Sequence, residues 1–388
     1  MGSDVAIIGG GIIGCSAAAY LAERGASVTL YERSAIGAGA SGRNLGAIQH
    51  PFDPVLAALY RDSLDRYRQL ADVNDAFSIA AEPAGLLLIN ADPAAVQRQV
   101  DHFAATCPEL APAFLDSPAL ADAEPQLAPG FAACRLATGY PVPPDSATAA
   151  FAALALRRGA RLQIGLTAEP WIDADSSVRG VRLSDGSSAS AGAVLVAAGP
   201  WTPALVDPSG AWQPIRPTWG VSVQLRLPEP VRHVLEEDEV DSINRPALAT
   251  QRAAAASADA PEPPSLFSIA SAGGVSTLGS TFLPVEPDPA PVAELLLRRG
   301  LRFLPSLAGA PRVQVRMCAR PQSFDGRPLI GPVSGVEGLF VCAGHGPWGI
   351  SSGPASAALV ASAILGEGSA IAPELRADRP APTGILPA

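Results

Sequence analysis

A chain of 388 residues with 48% apolar and 16% charged side chains is folded and globular, and long enough for two cores. Its net charge of −10, from 27 basic and 37 acidic residues, argues against nucleic acid as the main partner and against a polybasic membrane anchor. All 27 basic residues are arginine, which excludes a Walker-type phosphate loop, a Schiff-base lysine and a lysine general base.

In chain order, Asp4 to Ile8 reads as a buried strand, Ile12 to Arg24 as a helix and Ser27 to Tyr31 as a second strand. Together they make a β-α-β unit. A polar, Gly-rich loop is expected from Ser34 to Gly46. Helical spacing runs from Val55 to Ala71, a strand from Ala84 to Asn90, and helices over Pro93 to Cys107 and Asp145 to Arg157. Strands follow to Ala198. Between Trp201 and Pro311 the pattern changes to strands with Pro-rich joints at Ser257 to Ser265 and Pro284 to Pro291. The last third returns to α/β character, with a strand over Leu339 to Ala343. A helix is expected from about Pro354, with Ser351 or Ser352 as its cap, and an extended or frayed tail from Pro373. Segments of βαβ type at both ends imply one nucleotide-binding domain built from separated stretches, with a second domain inserted into it.

The five cysteines, Cys15, Cys107, Cys134, Cys318 and Cys342, form no C-x-x-C pair, and the four histidines are scattered. A structural zinc site and a disulfide framework are therefore not expected, and a reducing, cytoplasmic setting is. With an apolar strand beginning at Val5 and no charged n-region and h-region before it, a secretory signal is not expected. The apolar run Ala355 to Leu365 is too short for a membrane span, which needs roughly 20 residues.

Gly9-Gly10-Gly11-Ile12-Ile13-Gly14 fits G-x-G-x-x-G between a strand and a helix. Gly9 permits the tight turn, Gly11 the approach of a pyrophosphate, and Gly14 close packing of helix on strand. Glu32 ends the second strand, where a carboxylate accepts from both ribose hydroxyls and disfavours a 2′-phosphate. Arg33 and the glycines and polar side chains of the stretch that includes Ala40, Ser41, Arg43, Asn44 and Gly46 suit a dinucleotide lying extended, with an ordinary surface loop the competing reading, and at this point both NAD and FAD fit.

Three later segments carry a resemblance. Val194-Leu195-Val196-Ala197-Ala198-Gly199-Pro200-Trp201, the stretch Arg320-Pro321-Gln322-Ser323-Phe324-Asp325-Gly326-Arg327-Pro328-Leu329-Ile330-Gly331, and Ala343-Gly344-His345-Gly346-Pro347-Trp348-Gly349-Ile350 occur in order. With the fingerprint, they resemble the FAD-dependent amino-acid and amine oxidase family that includes D-amino-acid oxidase, glycine oxidase and sarcosine oxidase. The resemblance implies an α/β fold: a Rossmann-like FAD-binding domain of glutathione-reductase type (1–77, 142–215 and 312–388). Into it is inserted an α+β substrate domain on a largely antiparallel sheet (78–141 and 216–311). Cofactor contacts are implied at the fingerprint and loop residues above, at Ala168, Gly199 and Trp201, and at Cys318, Gly344, His345, Gly346, Gly349 and Ile350. Arg320, His345 and Trp348 are implied to be catalytic, with Arg320 the partner of a substrate carboxylate. Arg320 paired with Asp325 or another acid in a structural ion pair is the competing reading.

The resemblance is mixed at one point. Arg316-Met317-Cys318 resembles sarcosine oxidases, whose cysteine carries FAD through a thioether, whereas Arg320-Pro321 resembles relatives that bind FAD without a covalent bond. The chain also departs from its relatives. It has no lysine, Pro347 stands where glycine oxidases carry a second arginine, and no tyrosine follows Tyr140. Trp219 and Trp348 are candidates to line the pocket instead, with core packing the competing role, and His50 reads as a surface-turn histidine, an approach to the site from the flavin loop being the other reading. One remaining cation suggests a bulkier or less charged amine than a small zwitterion.

The expected function is oxidation of the CH–NH bond of an amino acid or secondary amine. Hydride passes to flavin N5, the imine is hydrolysed, and O2 or another acceptor reoxidises the flavin. A CH–OH dehydrogenase on the same fold and a flavin-carrying, non-catalytic subunit of a larger oxidase are the alternatives. The expected partners are a small-molecule donor and an electron acceptor.

Overall fold

The structure is a computed structural model that describes residues 2–238, 265–368 and 371–380. The strand Ser3–Ile8 (β1), the helix Ile12–Glu23 (α1) and the strand Val28–Glu32 (β2) form the expected β-α-β unit. β1 pairs in parallel with β2 on one side and with Ser188–Val196 on the other. Arg161–Ile164 adds to β2 in parallel, and Leu339–Ala343 adds to Ser188–Val196 in parallel. The sheet is therefore assembled from segments far apart in sequence. Its central strands β1, β2 and Leu339–Ala343 are apolar on both faces because helices cover one side and a three-stranded antiparallel extension the other. α1 is buried on nearly every side, packing against the helices Ser146–Arg157 and Gly349–Ile364.

A second sheet has eight strands, all antiparallel except Val234–Glu237 beside Leu86–Asn90. The expected fold class is thus met. The strand Arg312–Ser323, expected with the nucleotide-binding part, lies at the edge of this second sheet. It pairs with Ile215–Leu225 from Ile215 opposite Ser323 to Leu225 opposite Arg312. Backbone pairing over that length outweighs its place in the chain, and the strand carries residues from one sheet to the nucleotide-binding turn of the other.

Five local expectations change. The loop from Ser34 to Gly46 contains a helical turn, Ala40–Arg43. The Pro-rich joint at 284–291 ends in the helix Pro289–Gly300, started by Asp288, whose side chain accepts from Ala290 N at 3.0 Å. The other joint, 257–265, lies outside the described residues except for Ser265, which opens a strand. The C-terminal helix starts at Gly349, not Pro354. Proline is tolerated inside it because the Ile350 carbonyl, which Pro354 has no N–H to bond, accepts instead from Tyr67 Oη at 2.7 Å. Ser352 accordingly bonds back to Trp348 O at 2.8 Å and caps nothing. Finally, residues 371–380 dock: Leu375 and Ala377 are buried, and Arg379 grips Asp325 with two hydrogen bonds of 2.8 Å. Asp325 is thereby paired with Arg379, which removes the competing Arg320–Asp325 ion pair.

Candidate active site

At the β1–α1 turn, Gly9 has φ +116°, and a Cβ there would run into the Ala197 carbonyl. A Cβ on Gly14 would collide with Gly9 O, so α1 lies hard against the turn. Glu32 closes the turn from below: one oxygen accepts from Gly10 N at 2.7 Å and the other from Ser34 N and Oγ at 2.9 and 3.1 Å. Ser41 Oγ accepts from Ile12 N at 3.0 Å, which ties the helical turn Ala40–Arg43 to the start of α1. Arg43 reaches Met317 O at 2.8 Å and so joins that turn to the edge strand of the second sheet. Arg33 stacks on Trp201, its guanidinium 4.0 Å from the ring centroid.

From this turn a cavity of about 540 Å³ runs to Cys318, Arg320 and His345. The Arg320 guanidinium bonds Ser280 Oγ at 2.6 Å and Thr281 O at 2.8 Å, and lies over Phe282 at 4.6 Å from the ring centroid. It passes across Gly220, where any Cβ would strike it. No carboxylate pairs with Arg320 among the described residues. Burial pulls its pKa below the usual arginine value, while Cys318 beside it pulls the other way. Burial likewise pushes the Cys318 thiol up against the lowering effect of Arg320, Arg43 and Arg316. His345 is buried, with Nε2 lacking any hydrogen-bond partner, and burial lowers its pKa to about 3. Its imidazole is therefore neutral at ordinary pH.

Most of the residues singled out from the sequence line this cavity. Gly9, Gly11, Ile12, Ile13, Glu32, Arg33, Ala40, Ser41, Arg43 and Asn44 lie at one end, with Ala168, Gly199 and Trp201 alongside. Cys318, Arg320, His345, Gly346, Gly349 and Ile350 lie at the other. Gly14, Gly46 and Gly344 stand behind the wall, each at a point of close approach: Gly46 on Val142 O, Gly344 on Ser323 and Leu329. Trp348 is also outside the lining. It is buried and meets Phe52 edge-on at 6.4 Å, because the turn before the C-terminal helix directs it into the core.

His50 is not a surface residue but is buried between Phe52 and Tyr60, with Nδ1 accepting from Phe52 N at 3.1 Å. Trp219, by contrast, does line the cavity, as do Met317 and Glu286, which sequence reasoning did not single out. Trp219 and Met317 stand on the strand face opposite Gly220 and Cys318 and also pack against the apolar core, so strand alternation gave no sign of their place in the cavity wall.

The groups present suit a flavin dinucleotide: a glycine turn open to the cavity, a carboxylate at the ribose position, and an orphaned buried imidazole nitrogen at the far end. Comparison with known proteins agrees. Residues 4–363 match the family described as FAD dependent oxidoreductase. The chain is 28% identical to a glycine oxidase of Pseudomonas putida over 380 residues, covering 94% of this chain and 95% of that one. It is 26% identical to a D-amino acid dehydrogenase of Methylobacterium nodulans, covering 95% and 97%. The solved glycine oxidase of Bacillus cereus superposes with a TM-score of 0.81 at 25% identity, covering 99% of this chain and 100% of that one. No helix among the described residues is long and apolar enough to cross a membrane.

Proposed function

This chain belongs to the family of FAD dependent oxidoreductases, and on that premise we propose that it oxidises the CH–NH bond of a carboxylate-bearing amino acid or secondary amine. The observation that carries this reading is Arg320: a cavity-lining guanidinium held by Ser280 and Thr281, with no carboxylate partner among the described residues. Such a cation is set to take a carboxylate through two parallel hydrogen bonds, which fixes the orientation of the carbon to be oxidised. When bound, FAD supplies the hydride acceptor.

The remaining groups suit a reaction in which the protein orients and the substrate brings its own lone pair. Neutral His345 offers a hydrogen bond without charge, and the buried Cys318 and Cys342 thiols stay protonated. None of them is a strong base, so the donor amine enters neutral. Gly349 and Ile350 place the N-terminal turn of the C-terminal helix on the cavity wall, where its dipole favours negative charge. Cys318 as a protonated thiol is a poor nucleophile, which supports FAD held without a covalent bond. Acid precipitation should therefore release the yellow colour into solution.

Anaerobic mixing of the holoenzyme with D-, L- and N-alkyl amino acids, simple amines and 2-hydroxy acids tests the whole reading. Bleaching by a carboxylate-bearing amine supports it, and readmitted air then separates an oxidase from a dehydrogenase. Bleaching by 2-hydroxy acids alone, or by none of the donors, overturns it.

A further inference from the structure

His50 lies outside the cavity lining, yet the segment it organises leads to the cavity wall. Its Nδ1 accepts from Phe52 N, two residues on, at 3.1 Å. Asparagine and aspartate side chains usually close this kind of turn. Phe52 has φ +53°, a left-handed conformation that a bulky residue keeps only where its surroundings hold it. An acceptor at Nδ1 also fixes the tautomer, so the neutral ring carries its proton on Nε2.

From this turn two routes run to the helix Gly349–Ile364. One is direct: Gln49 N donates to Ser351 Oγ at 3.1 Å, and the Phe52 ring meets Trp348 edge-on. The other passes through the helix Pro54–Asp72. Asp53 caps that helix, one oxygen accepting from Val55 N and Leu56 N at 2.9 Å and the other from Arg327. Tyr67 Oη of the same helix donates to Ile350 O at 2.7 Å, and Ser63 Oγ accepts from Ala355 N at 3.1 Å. Gly349 and Ile350 line the cavity, so both routes end on its wall.

A second proton on the imidazole must go to Nδ1, where it sets one donor against another at Phe52 N. Burial opposes that proton most strongly. Glu109, with Oε1 3.9 Å from Nε2, favours it, and Arg61 opposes it. Tyr60 faces the ring edge-on, with Tyr140 acting on it from the next strand. Burial pushes the Tyr60 hydroxyl up to about 12, so it stays neutral.

We infer that His50 is a positioning residue for the cavity wall: its Nδ1 holds the Phe52 turn, and protonation in mild acid releases that turn, the start of the Pro54–Asp72 helix and the helix end that lines the cavity. The latch acts on FAD retention, whatever the donor. His50 titrates lower in the fold than in an unfolded chain, so its contribution is full near neutrality and is lost as pH falls.

The holoenzyme is equilibrated across roughly pH 8 to 5, around the ordinary histidine range, and released FAD is read by its fluorescence. On the acid limb, FAD affinity should fall by up to about ten-fold per pH unit, the limit for one coupled proton. His50→Asn keeps an acceptor for Phe52 N but has no proton to take up, so this limb should disappear. The comparison is the ratio of acid to neutral affinity within each protein, and His345, common to all of them, cancels. Glu109→Gln and Arg61→Gln, both at exposed positions, should move the acid midpoint in opposite directions, the first down and the second up. A histidine that merely fills space would respond to neither. No acid release from the wild type, release from His50→Asn with the wild-type midpoint, or midpoints that ignore both surface charges overturns the inference. The two surface variants decide alone should His50→Asn fail to fold.

Discussion

The two faces of the second, mainly antiparallel sheet are made from alternate residues of the same strands, yet their contents differ sharply. One face presents Val221, Val223, Leu278, Phe267, Ile269 and Leu235 to the helix Pro289–Gly300. The other presents Arg316, Arg320, Ser222, Thr277, Ser268 and Glu236 toward the nucleotide-binding part. The period-two geometry of a strand allows this: a single strand contributes its odd residues to a core and its even residues to a site. Buried polar groups are costly where nothing answers them, so a face that keeps them is shaped for a polar occupant. The apolar face secures the sheet, and the polar face uses that rigidity to hold a constellation.

Four substitutions test the division. The largest effect on folding is expected on the apolar side. Phe267 is buried and stacked on Phe303 with ring centroids 4.5 Å apart. Phe267→Ala should lower unfolding free energy by about 3–5 kcal/mol in denaturant titrations, while flavin content per folded molecule is unchanged. Across the sheet, Arg320→Met should leave the fold intact but slow anaerobic flavin reduction by the best carboxylate donor on the order of 10²–10³-fold. Lysine at this position should restore only part, because an ammonium cannot make the paired contact. Equal slowing of a donor without a carboxylate would show that Arg320 acts on something other than substrate binding.

The two smaller effects form a mirrored pair. Val223→Thr places a hydroxyl in the apolar face and should cost about 1–3 kcal/mol of stability. Ser222→Ala, its neighbour on the polar face, removes a hydroxyl that has no partner. It should be neutral or stabilising by about 1 kcal/mol without ligand. If both substitutions destabilise alike, the two faces are not energetically distinct and the comparison fails.

The fingerprint turn was legible in the sequence because its determinants are local. Gly9, Gly11, Gly14 and Glu32 act within one β-α-β unit, where the backbone approach, helix dipole and ribose acceptor follow from spacing alone. Arg320 and His345 became visible through family resemblance, and the resemblance also indicated the antiparallel second sheet. Other features were hidden. The burial of His50 depends on Phe52 and Tyr60 closing over it. The start of the C-terminal helix ahead of Pro354 depends on a tyrosine 283 residues away in sequence from the carbonyl it satisfies. The docking of 371–380 depends on Asp325, which local reading had offered to Arg320.

What the sequence by itself determined, then, is the dinucleotide turn, the absence of any lysine chemistry and the family to which the chain belongs. The tertiary structure decided which acid pairs with which arginine, which tryptophan reaches the cavity, and that Glu236 shares a sheet face with Arg320. The place of Glu236 and Arg320 on one face turns on strand register, and a shift of one residue would send either side chain to the opposite face; the Asp325–Arg379 pair turns on the docking of 371–380. Register is set by pairing between distant segments, and that information resides in no single stretch of the chain.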